Sequence, residues 1–158
     1  KRDPDQAAAM GGGLSVLQCG DPTGTGLGGP GYNVQDEPPT DLEAGADGQT
    51  SVYPRGTVAM AKGQAPNSAG SQFFLVYEDS NLPPEYSVVG NIGEEGLKTL
   101  DKIADEGTKS DDPQNPDSEV PKKEVKIEKA VVSDEEEVPT PPEKPELSED
   151  AQMAEAPA

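Results

Sequence analysis

Apolar and polar residues alternate over several short stretches of this chain, which is the pattern of half-buried strands. The clearest pair is residues 57–61, which are small and apolar, and residues 72–76, which are aromatic and β-branched. A cluster of Gly, Pro, Asn and Ser separates them, so the pattern predicts a strand, a tight polar loop and a second strand. Two further short stretches, residues 14–20 and 87–92, are also predicted to be strands. Apolar and charged residues alternate at 124–132, which predicts a half-buried strand.

One stretch follows the period of a helix instead. Between residues 94 and 105, apolar side chains recur at helical spacing, and Glu94 and Glu95 suit the positive N-terminal end of a helix. Gly107 follows as a stop signal. The predicted connections are a glycine-rich loop at 21–31, a long polar segment at 32–54 and a charged, proline-broken loop at 109–121.

The composition changes along the chain and indicates three parts. Residues 1–13 are polar, then rich in alanine and glycine, and predict an irregular N-terminal segment. Residues 14–132 carry all of the predicted elements and are interpreted as one mainly β domain. From residue 133 to 158 the chain holds nine acidic residues, one lysine and five prolines. Such a segment cannot bury enough apolar surface to offset its ordering entropy, so we expect a disordered acidic tail.

The overall charge narrows the classes of partner. The 158 residues include 31 acidic and 12 basic side chains, which gives a formal charge of −19. This excess argues against nucleic acid, which requires a basic surface, and against anionic membranes. No apolar run approaches the ~20 residues of a membrane span, so we expect no membrane contact from this segment. We also expect the chain to be a monomer. The compartment stays open: the cytoplasm is the default, and a membrane-anchored or exported parent protein is the alternative.

The residue types present exclude several kinds of active site. The chain has no histidine, which removes the base of a Ser-His-Asp site and the commonest metal ligand. Cys19 is the single cysteine, which excludes an internal disulfide and a thiolate zinc cluster, and we interpret it as a small strand residue. The acidic residues Asp41, Glu43 and Asp47 miss the spacing of a calcium loop. We therefore expect neither a metal nor a cofactor.

Residues 24–29 fit the pattern G-x-G-x-x-G, which is typical of dinucleotide-binding turns. That function requires a helix immediately after the glycines, because the helix N-terminus holds the pyrophosphate. Here Pro30 and Gly31 follow, and no helical period comes after them. A surface loop is therefore favoured over a nucleotide site.

Two longer motifs are more specific. The first is Met60-Ala61, then Pro66-Asn67, then Gly-Ser-Gln-Phe-Phe at residues 70–74. The second is Gln-Cys-Gly-Asp followed by a loop rich in Gly and Thr, at residues 18–26. Together they resemble the signatures of the cyclophilins, a family of peptidyl-prolyl cis-trans isomerases, over about residues 15–132. The resemblance implies a cyclophilin-like closed antiparallel β-barrel with a capping helix, incomplete here at its N-terminal side.

The resemblance also implies where a substrate binds. In cyclophilins, the last phenylalanine of the first motif floors a pocket for proline, and the nearby glutamine contacts the substrate backbone. The matching substrate-binding residues here are Gln18, Ala61, Lys62, Gln72, Phe74, Leu82 and Tyr86. The expected partners are proline-containing peptides or unfolded protein clients. The implied activity is rotation about X-Pro bonds, which assists protein folding.

The chain departs from the family pattern at the catalytic donor. The family places an arginine shortly before the position of Gln18, but residues 7–10 read Ala-Ala-Ala-Met. No catalytic residue can therefore be assigned, and Arg55 does not match by motif. Ser15 and Asn81 also stand where aromatic residues are usual. We expect an impaired isomerase, with a non-catalytic proline-peptide binding module and a non-functional fragment of an isomerase as alternatives.

Overall fold

The computed structural model describes residues 14–110 and 119–132. The chain divides into two compact units, Lys1–Val125 and Lys126–Ala158. The strands and the helix described below all belong to the first unit. The predicted irregular segment at 1–13 and the predicted acidic tail at 133–158 lie outside the described residues.

The described ranges contain eight short strands and one helix. In chain order these elements are β1 Val16–Cys19, β2 Ser51–Tyr53, β3 Thr57–Met60, β4 Phe73–Val76, β5 Ser80–Leu82, β6 Val88–Asn91, α1 Glu94–Glu106, β7 Thr108–Ser110 and β8 Glu119–Pro121. The expectation of a mainly β chain with one helix is therefore confirmed.

The largest sheet has four antiparallel strands in the order β1-β4-β3-β6. Its central strand β4 places Phe74 opposite Gln18 on one side and opposite Ala59 on the other. Strands β2 and β5 form one two-stranded ribbon, and β7 and β8 form another. Because β1 and β6 are open edges, the described strands do not close into a barrel, and the closed barrel that the resemblance implies stays a prediction.

The core lies on one face of the four-stranded sheet. Alternate residues point inward, so β3 buries Thr57 and Ala59 while β4 buries Phe74 and Val76. Tyr53 from β2 joins this cluster with no exposed surface. The partly buried residues around it are Val16, Leu42, Ala61, Leu82 and Tyr86.

Helix α1 matches the predicted helix to within one residue at its C-terminal end. It begins after Gly93, which is extended, and it ends at Gly107, whose φ of 76° lies in the region that favours glycine. Leu100 is its buried residue, at 5% exposure. Asp101, one position on, pairs with Arg55 beside β3 and so ties the helix to the segment before that strand.

The structure confirms four predicted strands and corrects three other predictions. Residues 124–132 form no strand, and their apolar side chains at Ile127 and Val131 are 56% and 71% exposed. Conversely, β2 arises inside the segment predicted as a polar connection, and β8 arises at the end of a predicted loop. Pairing between strands explains all three differences. Residues 124–132 alternate but have no described partner strand, whereas β2 and β8 have only three residues each and form because each pairs with another strand.

Candidate functional site

Two glutamine side chains from neighbouring parts of the sheet form the centre of the site. Gln18 lies in β1, and Gln72 immediately precedes β4, the strand that pairs with β1. The Gln18 side-chain Nε2 donates to Oε1 of Gln72 at 2.7 Å. The antiparallel pairing of β1 with β4 therefore joins two residues that are 54 positions apart in sequence.

The glycine-rich loop after β1 is folded around one carboxylate. Asp21 accepts hydrogen bonds from the backbone N–H of Thr23 at 2.8 Å, from the Thr23 hydroxyl at 2.8 Å and from the backbone N–H of Gly26. Partial burial by itself raises the pKa of Asp21. Hydrogen bonds from Thr23, Gly28 and Gly26 outweigh that effect and lower the pKa to about 2.

The same loop holds Gln72. The Gln72 Nε2 donates to the carbonyl oxygen of Gly28 at 2.8 Å and to that of Gly26 at 3.1 Å. A side-chain amide has two N–H donors, so both of those of Gln72 are used here. The Gln72 Oε1 is thereby turned toward Gln18.

A cleft of about 510 Å³ opens beside this pair. Four of the seven predicted substrate-binding residues line it, namely Gln18, Ala61, Lys62 and Gln72. The remaining wall is formed by the loop residues 26–33 and by Gly63, Ser68, Gly70 and Ser71. The backbone N–H of Ala61 donates to the carbonyl of Gln72 at 3.0 Å, which extends the β3–β4 pairing into the cleft wall.

Lys62 reaches the cleft wall with a side chain that is only 6% exposed. Its ammonium donates to Asp36 at 2.7 Å, and this hydrogen bond raises the pKa of Lys62 and lowers that of Asp36. Asn67 binds the same acid twice: its N–H donates to the Asp36 carboxylate, and its Oδ1 accepts from the Asp36 N–H, both at 2.8 Å. These contacts fasten the 32–54 segment to the β3–β4 loop.

The other three predicted residues lie together in the apolar core. Phe74 is 5% exposed and meets Tyr86 edge-on, with ring centroids 5.5 Å apart. Leu82 packs against the same cluster. Low exposure suits both a core residue and the floor of a slot, so the predicted proline-binding role of Phe74 stays a prediction.

Tyr53 is a residue of this region that sequence reasoning missed. Its ring lies 6.3 Å from those of Phe74 and Tyr86, and its hydroxyl contacts the Tyr86 backbone. The hydroxyl donates to the Tyr86 carbonyl at 3.1 Å and accepts from the Tyr86 N–H at 3.2 Å. The alternation in Ser51-Val52-Tyr53 was a signal for a strand, but the polar residues around it concealed that signal.

Arg55 is the single arginine of the described residues, and it is engaged away from the cleft. Its guanidinium makes two hydrogen bonds of 2.8 Å to the carboxylate of Asp101 in α1 and a third to the carbonyl of Tyr77. This two-point geometry fixes the orientation of the guanidinium plane. Ser15, at a position usually aromatic, donates its hydroxyl to Glu78 at 3.2 Å.

The described residues also bear on thiol, metal and membrane sites. Cys19 is a free, partly buried strand residue, and its burial raises the pKa of the thiol. Among residues 14–110 and 119–132, no three acidic, cysteine or histidine side chains are arranged to hold a metal ion. Within the same ranges, no helix has the length and apolar character needed to cross a membrane.

Comparison with known proteins agrees with the motifs at this site. A family model described as cyclophilin type peptidyl-prolyl cis-trans isomerase/CLD matches residues 14–132, which is most of the chain. The chain belongs to the cyclophilin-type isomerase family. Residues of both cyclophilin motifs line its cleft: Gln18 lies in β1, and Gln72 immediately precedes β4.

Several relatives carry the same family name. The chain is 56% identical over 97 residues to a probable peptidyl-prolyl cis-trans isomerase B of Mycobacterium tuberculosis (strain H37Rv), covering 60% of this chain and 31% of the relative. It is 54% identical over 118 residues to its counterpart in Mycobacterium leprae, covering 73% of this chain and 38% of that one. The chain thus spans about a third of the length of these two relatives.

A cyclophilin-type isomerase of Cryptosporidium parvum, crystallised in the presence of the dipeptide Ala-Pro, is a similar solved structure. It is 35% identical in sequence, and the match covers 67% of this chain and 63% of that one. The TM-score is 0.44.

Proposed function

We propose that this chain is an isomerase unit that binds proline-containing peptides along the cleft and rotates their X-Pro bonds. Membership of the cyclophilin-type family supports this function, since the relatives above are named for that activity. The observation that carries the proposal is the fixed Gln18–Gln72 amide pair in the cleft wall. Both glutamines come from the family motifs, and both are polar groups suited to a peptide backbone.

The chemistry offered by the cleft suits an extended peptide. Gln18 is exposed and uses one N–H on Gln72, which leaves its carbonyl oxygen and second N–H for a substrate amide. The backbone at Ala61 and Lys62 continues the wall beyond the end of β3. The proline ring would lie against Phe74, with Leu82 and Tyr86 at its sides.

Catalysis of this reaction requires no covalent step. The barrier to X-Pro rotation, ~18–20 kcal/mol, comes from the partial double bond between carbon and nitrogen. An apolar slot and fixed hydrogen bonds to the flanking backbone hold the peptide in a twisted state, and a donor to the prolyl nitrogen lowers the barrier further. Losing one such preorganised donor typically costs ~10²–10³ in rate. Since the family's arginine has no match by motif, we expect slow catalysis from this chain.

A proline-peptide binding module without catalysis is the second candidate. The state of Arg55 favours it, because that guanidinium is bound at two points by Asp101 rather than directed into the cleft. A fragment without function is the third. We also propose that the open edges β1 and β6 belong to an incomplete barrel. The chain is proposed to be a monomer. Its proposed clients are unfolded proteins.

A titration followed by amide NMR tests the binding half of the proposal. A proline tetrapeptide should shift the resonances of Gln18, Ala61, Lys62 and Gln72, and the same peptide with alanine in place of proline should bind more weakly. Gln18→Ala and Gln72→Ala should each weaken binding by about 1 kcal/mol. The matched control is Gln49→Ala, an exposed glutamine outside the cleft lining. The proposal would be overturned if the proline and alanine peptides bound with equal affinity. It would also be overturned if neither Gln18→Ala nor Gln72→Ala changed the affinity.

A further inference from the structure

We propose that Asp21 is a positioning residue, which holds the glycine-rich loop so that the loop orients Gln72 and, through it, Gln18. This inference rests on the proposed function, because it concerns the same cleft. Asp21 itself does not line that cleft. Its effect on a bound peptide would therefore be transmitted through the loop and the two glutamines.

The first step is the set of hydrogen bonds that the Asp21 carboxylate accepts from the loop. One carboxylate oxygen accepts both the N–H and the hydroxyl of Thr23, and the other accepts the N–H of Gly26. The loop closes so tightly that a Cβ atom on Gly28 would lie 2.0 Å from the carboxylate and 2.6 Å from the Thr23 hydroxyl. A side chain at position 28 would therefore displace the Asp21 carboxylate or the Thr23 side chain, so glycine lets the loop close around the acid.

The second step concerns the backbone carbonyl groups that the folded loop directs at Gln72. With the loop folded in this way, the carbonyl oxygens of Gly26 and Gly28 both point at the side-chain nitrogen of Gln72. Two acceptors at that end of the amide leave no choice of orientation, because only the NH₂ group can face them. The Gln72 oxygen must then face Gln18 and accept its N–H.

The third step is the need for a carboxylate. An ionised carboxylate only accepts hydrogen bonds, so it can serve the donors of Thr23 and Gly26 together. An asparagine at position 21 has the same shape, but its NH₂ group would face either the donors of Thr23 or the N–H of Gly26. Two donors would then face each other, and no hydrogen bond could form there. The loop would then loosen, and the carbonyls that hold Gln72 would lose their fixed position.

Side-chain amide NMR tests this chain of contacts without any peptide. In the parent chain, the Gln72 side-chain NH₂ signals should be displaced from those of free glutamine and protected from solvent exchange. In Asp21→Asn they should move toward the free position. The matched control is Asp47→Asn, because Asp47 accepts from the N–H and hydroxyl of Thr50 and the N–H of Gln49 in another loop. That control should leave the Gln72 signals unchanged.

Peptide binding then tests the consequence through a double-mutant cycle. Asp21→Asn should weaken binding of the proline tetrapeptide roughly three- to tenfold in the parent chain. In a Gln72→Ala background it should have no further effect, because the contact it supports is already gone. An equal loss in both backgrounds, an equal loss from Asp47→Asn, or unchanged Gln72 signals would each overturn the proposal.

The two readouts separate this inference from the proposed function. If no chain binds the peptide, the proposed function fails, while the NMR comparison still decides whether Asp21 positions Gln72. If Asp21→Asn does not fold, Thr23→Val removes one donor to the carboxylate and keeps the charge. Thr23→Val should displace the Gln72 signals in the same direction by a smaller amount, and unchanged signals there would refute the inference.

Discussion

At the scale of single residues, Phe74 and Phe73 give a matched pair of positions. They are neighbours in β4 and point to opposite faces, with Phe74 in the core beside Tyr86. Phe74→Leu should weaken binding of the proline tetrapeptide by about 1–2 kcal/mol, since it removes apolar area from the ring slot. Phe73→Leu should change the affinity little. Calorimetric titration measures both, and equal effects would contradict the placement of the slot.

The ion pair of Asp36 with Lys62 predicts a pH dependence of stability. Hydrogen bonds from Lys62 and Asn67 lower the pKa of Asp36 in the folded chain. Its contribution is therefore fully present above the unfolded-state pKa of about 4 and is lost as the pH falls through the lower folded-state pKa. Urea unfolding should show the parent losing more stability than Asp36→Asn between about pH 5 and 2.

The control for that measurement is Asp41→Asn, which changes an exposed acid of the same segment. This variant should keep the pH dependence of the parent. If Asp36→Asn also keeps it, the Asp36–Lys62 pair contributes nothing to acid stability and the interpretation of the pair is wrong.

Four of the residues that line the cleft could be assigned from the sequence because they lie in or beside a short motif. Gln18, Ala61, Lys62 and Gln72 were assigned in this way, and the structure brings all four to one cleft. The hydrogen bonds of Tyr53 to Tyr86 could not be predicted from the sequence, since the two residues are 33 positions apart. The partner of Lys62 was missed for the same reason, since Asp36 and Lys62 are 26 positions apart. Side-chain pairing over such separations leaves no local pattern.

At the scale of elements, helix α1 is held by one buried side chain, Leu100, and by two ion pairs, Asp101 with Arg55 and Glu106 with Lys123. Leu100 is 5% exposed, so Leu100→Ala should lower the free energy of unfolding by roughly 2–5 kcal/mol through lost apolar contact and a cavity. Lys102→Ala, at an exposed position of the same helix, should change it by less than about 0.5 kcal/mol. Urea denaturation compares the two, and similar values would show that the helix is not anchored through Leu100.

The helix and the four strands of the main sheet were predicted because their patterns are local, and because glycine marks both ends of the helix. The ribbons were not, because β2 and β5 have three residues each and depend on pairing with each other. The strand prediction for residues 124–132 was wrong for the opposite reason. Their alternation is clear, but no described strand pairs with them, and Val132 is fully exposed.

At the scale of the whole molecule, we propose that proline peptides bind and isomerise at the cleft built on Gln18 and Gln72. Exchange NMR of a proline tetrapeptide, with and without the chain, measures this directly, because uncatalysed exchange takes tens to hundreds of seconds. We expect a measurable but slow acceleration, which Gln72→Ala and Phe74→Leu reduce and Arg55→Gln leaves unchanged. Unaltered exchange in the presence of bound chain would contradict catalysis. An acceleration that survives both cleft substitutions, or that disappears with Arg55→Gln, would contradict the site.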